Sequence, residues 1–155
     1  MPAEATDCHV HIVGPQARFR FDEKRAHRAY DAPKEVLHEI QARLGIARCV
    51  VVHGVVHGLN VAVTLDALFT SNGRYRATMP NDPAITDQRL EELNACGFRA
   101  VRFDRRASEQ GIEMKPRQRT CMRANAQIEV PPAPPVPEAV ARTRERCTSA
   151  ATLLV

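Results

Sequence analysis

The sequence contains no tryptophan, and its aromatic share is only 5%. Single-stranded nucleic acid needs rings on which bases can stack, so nucleic-acid binding is not expected, even at a net charge of +4. No apolar run reaches the ~18 residues of a membrane span, because charges or glycines interrupt each one. The opening residues, MPAEATDCHVHIVG, lack the basic-then-apolar order of a secretory signal. A cytoplasmic protein without a membrane partner is therefore expected. Cys8, Cys49, Cys96, Cys121 and Cys147 include no Cys-x-x-Cys pair. That odd, scattered set argues against a disulfide framework and predicts thiols buried as small hydrophobes. Length is also short: 155 residues can build one core but not the roughly 250 residues of a complete eight-stranded βα barrel.

What is present alternates between strand and helix. Residues 5–13 form a short β-branched run closed by Gly14-Pro15, which predicts a first strand. A polar, basic stretch over 16–31 follows, with Arg18, Arg20, Lys24, Arg25 and Arg28; loops of that length are commonly functional. Asp31 and Pro33 then suit a helix start, Val36, Leu37, Ile40 and Leu44 share one helical face, and Gly45 supplies the stop. The run 49–52 predicts a strand buried on both faces of a parallel sheet. Val61, Leu65, Leu68 and Phe69 repeat the helical spacing up to Asn72-Gly73. A strand over 75–79, a helix over 86–96 with an Ile85–Leu90 staple, and a fourth strand over 100–103 complete the series. This order implies parallel strands with right-handed crossovers. The fold class is α/β, a partial TIM-type barrel of about four strands over residues 1–104. Beyond it, 105–155 carries PPAPPVPEA and reads as an irregular Pro/Arg-rich tail, with a shifted reading frame as one explanation.

The chemistry-bearing residues gather at strand ends. Asp7, His9 and His11 alternate, which on a strand puts all three on one face, with Cys8, Val10 and Ile12 on the other. Two imidazoles so placed can grip a metal ion when neutral, or an anionic oxygen when protonated. In a βα barrel they sit at the active face. His53 and His57 lie in HGVVHG directly after the second strand, either facing the same mouth or simply solvated in the loop. Arg102, within an apolar strand, calls for an anionic substrate or a carboxylate partner. Asp66, Glu91 and Glu92 fall on helix surfaces and are expected to be solvated.

Four blocks occur in order: DCHVHIVGP, YDAP, LGIARCVVV and GFRAVRFD. Together they resemble the metal-independent lactonase branch of the amidohydrolase superfamily over roughly residues 6–104. The resemblance implies a βα barrel that opens a carboxylated lactone or ester by water attack. It implies that His9 and His11 polarise the carbonyl with no metal cofactor and that Arg102 binds a substrate carboxylate. It also aligns His27 with a family tyrosine, and His53, Val55 and His57 with a Gln-x-Ser-x-Tyr motif, which makes His27, His53 and His57 candidate substrate contacts. The family's strand-four motif ends in asparagine, where this chain has Asp104. The family's general base follows strand eight and a further histidine follows strand six, beyond the blocks matched. Two alternatives remain: a metal-dependent hydrolase or decarboxylase holding zinc through His9 and His11, and a truncated or frameshifted non-catalytic fragment. An uncovered sheet edge predicts homo-oligomers.

Overall fold

A computed structural model describes residues 2, 4–24 and 29–102. The elements run β1 (Thr6–Val10), α1 (Lys34–Leu44), β2 (Arg48–Val52), α2 (Ala62–Thr70), β3 (Tyr75–Pro80), α3 (Asp87–Ala95) and β4 (Phe98–Arg102), with a 3-10 turn at Val55–His57. All strands pair in parallel, in the sheet order β1-β2-β3-β4. Each strand thus lies beside its predecessor across a helix, the winding of a βα barrel. The expected tail, 105–155, lies outside the described residues.

Alternation sets the two sheet faces. Along β3, Tyr75, Ala77 and Met79 are buried while Arg76, Thr78 and Pro80 are only half-buried. Cys49 and Val51 of β2 pair in register with Tyr75 and Ala77, so they share the buried side. Ile12, Leu65, Leu68, Leu93, Phe98 and Val101 complete the core between sheet and helices, each large aliphatic contributing about 1.5–3 kcal/mol by leaving water.

Local signals account for most helix ends. Thr86 caps α3 by accepting the Arg89 N–H at 3.1 Å, Ile85 just before it is buried, and Leu90 packs against the same core. Gly45 closes α1 at φ 70°, a left-handed conformation that costs other residues about 1 kcal/mol or more.

The first helix departs from expectation in two ways. Asp31 does not cap it, since the helix starts three residues later at Lys34; its carboxylate accepts the Gln16 N–H at 3.0 Å and braces the preceding loop. Of its expected apolar stripe only Leu37 packs against the core. Val36, Ile40 and Leu44 are 48%, 48% and 49% exposed, whereas Gln41 is buried and accepts the Tyr75 hydroxyl.

Strand β1 brings the other correction. Its register against β2 slips between Asp7 and Val10, with Asp7 opposite Cys49 and Val10 opposite Val51. Three steps on β1 therefore cover two on β2, as a bulge requires. The bulge puts Asp7 out of phase with His9 and His11, on the side of Cys49. It also leaves Cys8 exposed, while Cys49 and Cys96 are buried as expected; Cys121 and Cys147 lie outside the described residues.

Candidate functional site

The C-terminal end of β2 organises the site. His11, just past β1, donates Nδ1–H to the Val52 carbonyl at 2.7 Å. A carbonyl can only accept, so the Nδ1 proton is fixed and Nε2 faces outward without a partner among the described residues. Arg102, the last residue of β4, donates Nη1–H to the His53 carbonyl at 2.8 Å. Its remaining guanidinium donors are free among the described residues, a fork suited to a carboxylate. The two side chains therefore hang from consecutive carbonyls, on residues whose Cα atoms are about 3.8 Å apart. His9 packs its ring edge-on against His11, centroids 5.1 Å apart, and its N–H donates to the Asp7 carboxylate at 3.2 Å.

His53 and His57 lie behind this front and are neither solvated nor open to it. His53 is 1% exposed and His57 3%. His53 donates Nε2–H to the Gly58 carbonyl at 3.1 Å and accepts the Thr64 hydroxyl at Nδ1, 2.9 Å. Its backbone N–H donates to Thr78 Oγ1 at 3.3 Å. Burial, reinforced by the nearby Arg102 guanidinium, pushes the His53 pKa down to about 4. His57 donates Nδ1–H to the Arg20 carbonyl at 3.2 Å and accepts the Gly14 N–H at Nε2, 3.3 Å. Burial lowers its pKa as well. Both rings are thus neutral and spend their nitrogens on the protein. His27 lies outside the described residues.

Sequence reasoning missed Thr64, whose hydroxyl fixes the His53 tautomer. Its signal was a threonine between Val63 and Leu65 near the start of a largely apolar helix. Asp66, expected to be solvated, binds the Lys34 ammonium and accepts from Arg18 at 3.0 Å. With Gly14, Phe19, Pro33, Lys34 and Val63 it lines a cavity of about 220 Å³. That cavity lies on the helix side of the first loop, and none of His9, His11 or Arg102 borders it. For zinc, His9 and His11 supply two donors; no group of three or more candidate ligands converges among the described residues.

A parallel sheet wound strand by strand through helices is the opening portion of a βα barrel. The chain belongs to the amidohydrolase family, whose model matches residues 6–131. It is 36% identical over 104 residues to a 2-pyrone-4,6-dicarboxylate hydrolase of Comamonas testosteroni, covering 67% of this chain and 34% of that protein. It is 39% identical over 103 residues to a 4-sulfomuconolactone hydrolase of Rhizobium radiobacter, covering 66% and 34%. The chain thus spans about a third of the length of these curated relatives. Among solved structures, a probable 2-pyrone-4,6-dicarboxylic acid hydrolase of Acinetobacter baumannii with citric acid bound superposes at TM-score 0.63, 19% identity, over 79% of this chain and 45% of that one. An apo structure from Agrobacterium tumefaciens gives 0.56 at 22% identity, over 64% and 36%. These structures carry the fold.

Proposed function

We propose that this chain carries the carbonyl-polarising and carboxylate-binding part of a lactone hydrolase, acting on a small carboxylated lactone or ester without a metal cofactor. The observation that carries this reading is the anchoring of His11 and Arg102 on the consecutive carbonyls of Val52 and His53 at the end of β2, with the His11 Nε2 and further Arg102 donors left over among the described residues. Arg102 takes the substrate carboxylate, and His11, with His9 against it, meets the carbonyl oxygen. Because the His11 Nδ1 proton is committed to Val52, its Nε2 can donate to that oxygen only when the ring carries both protons. The polarising species is therefore the imidazolium, which also stabilises the oxyanion formed as water adds. With His9 and His11 assigned to the carbonyl oxygen, no further described residue is assigned to activate the water. Binding is therefore expected to exceed turnover in this chain.

Relatives hydrolysing a pyrone dicarboxylate and a sulfonated muconolactone support an anionic lactone as the substrate class. With 2-pyrone-4,6-dicarboxylate as probe, loss of ring absorbance follows turnover, and histidine ring-nitrogen shifts follow binding. Binding that perturbs His11 and disappears in Arg102→Ala is expected. A folded chain that binds no probe overturns the reading, and stoichiometric zinc in the purified protein overturns its metal-free form. The same reading places the protein in the cytoplasm without a nucleic-acid partner. Among the described strands β1 is an edge, and self-association there is expected to appear in light scattering as a dimer.

A further inference from the structure

His57 was a candidate substrate contact, yet it faces inward, and its two hydrogen bonds cross from one loop to another. Gly14 follows His11 by three residues in the loop leaving β1, and Arg20 lies farther along that loop. Both bind one ring held in the turn that leaves β2. The surroundings reinforce the seam: the Asp22 N–H donates to the Val56 carbonyl at 2.7 Å, and the Phe21 ring meets His57 edge-on at 5.2 Å. Gly14 has φ 71° and is buried, and a Cβ there would collide with the Asp31 carboxylate. The chain thus has little freedom to approach His57 in another way.

We propose that His57 is a positioning residue: its neutral ring ties the loop leaving β1 to the end of β2 and so fixes where His11 presents Nε2. The proposal rests on the carbonyl-polarising role given to His11 above. The device works in one protonation state only. A neutral ring with Nδ1–H toward Arg20 offers its Nε2 lone pair to Gly14, whereas a protonated ring sets an N–H against the Gly14 N–H. Among the described residues, the charged or titratable groups around it are His53, at 6.2 Å between centroids, and Asp22, whose carboxylate lies against Gly58. His11 and Arg102 stand beyond His53 and act on its charge. Burial lowers the His57 pKa, so the tie holds at neutral pH and opens on acidification below the ordinary histidine range.

The test uses the full chain, His57→Phe and His57→Gln, each checked for folding by circular dichroism. Phenylalanine keeps a ring without hydrogen bonds, while glutamine can both accept from Gly14 and donate to Arg20. In the unsubstituted chain, the Gly14 amide shift is expected to titrate together with the His57 ring nitrogens. In His57→Gln it stays flat across the same acid range. Affinity for 2-pyrone-4,6-dicarboxylate at neutral pH is expected to fall about tenfold in His57→Phe, the scale of a lost buried hydrogen bond, and to return in His57→Gln. An Nε2–H tautomer at His57, a Gly14 amide indifferent to its titration, or undiminished affinity in a folded His57→Phe each overturns the proposal. A chain that binds no probe while Gly14 still tracks His57 sinks the lactone reading and leaves the tie standing.

Discussion

Acid should destabilise this fold through one buried ring, and the size of the effect follows from the structure. Above pH 6.5, His53 is neutral whether the chain is folded or not, and acidification has no effect through it. Below 6.5 the unfolded ring takes up a proton, but the folded ring stays neutral until about pH 4. Over that window the unfolded chain binds more protons, so stability falls with pH and levels off once the folded ring also titrates. The gap between 6.5 and about 4, at about 1.4 kcal/mol per pH unit, amounts to about 3 kcal/mol. Small domains are stable by only about 5–15 kcal/mol, so this is a large share. Urea unfolding followed by circular dichroism between pH 7.5 and 4, on the full chain and on His53→Gln, isolates it. Carboxylates contribute equally to both proteins and cancel, and the substituted chain should lose about 3 kcal/mol less over the interval. Parallel stability curves would refute the reasoning. Should His53→Gln fail to fold, the ring-nitrogen titration of His53 decides directly, and a midpoint near 6.5 would count as failure.

Other outcomes follow from single contacts. Thr64→Val removes the donor that satisfies His53 Nδ1 and should cost about 1–3 kcal/mol in urea unfolding at pH 7.5. Thr86→Ala, by deleting the cap of α3, should cost about 1 kcal/mol. With Cys121 and Cys147 replaced by serine, thiol labelling of the native chain should mark Cys8 quickly and leave Cys49, whose pKa burial raises to about 11, unreacted until unfolding; in that background a fast phase that survives Cys8→Ser would contradict this. Arg102→Lys keeps the charge but cannot hold the His53 carbonyl and a carboxylate with one planar fork, so probe affinity should drop about tenfold.

The order of strands and helices was legible because strong local signals bound the units: Gly45 and Asn72-Gly73 after helices, and Thr86 at a helix start. Orientation was less so. The spacing of Val36, Ile40 and Leu44 reveals that they share a face, but not whether that face meets the sheet. The side of α1 facing the core carries Leu37 together with Gln41, whose polarity the Tyr75 hydroxyl satisfies. The bulge in β1 left no mark either, since DCHVHI alternates whether or not the register slips. That His11 and Arg102 come to the end of β2 was readable in part, because both fall at strand ends. The inward turn of His53 and His57 was not, because it depends on partners, Thr64, Gly14 and Arg20, that only the folded chain brings near.

Suspending His11 and Arg102 from neighbouring carbonyls has a mechanical consequence. Each side chain is rooted in an outer strand, His11 just past β1 and Arg102 in β4, while its hydrogen bond ends where β2 ends. Sliding of β2 against either strand therefore strains one of the two bonds. The pair works as a latch that registers both outer strands against the same stretch of backbone.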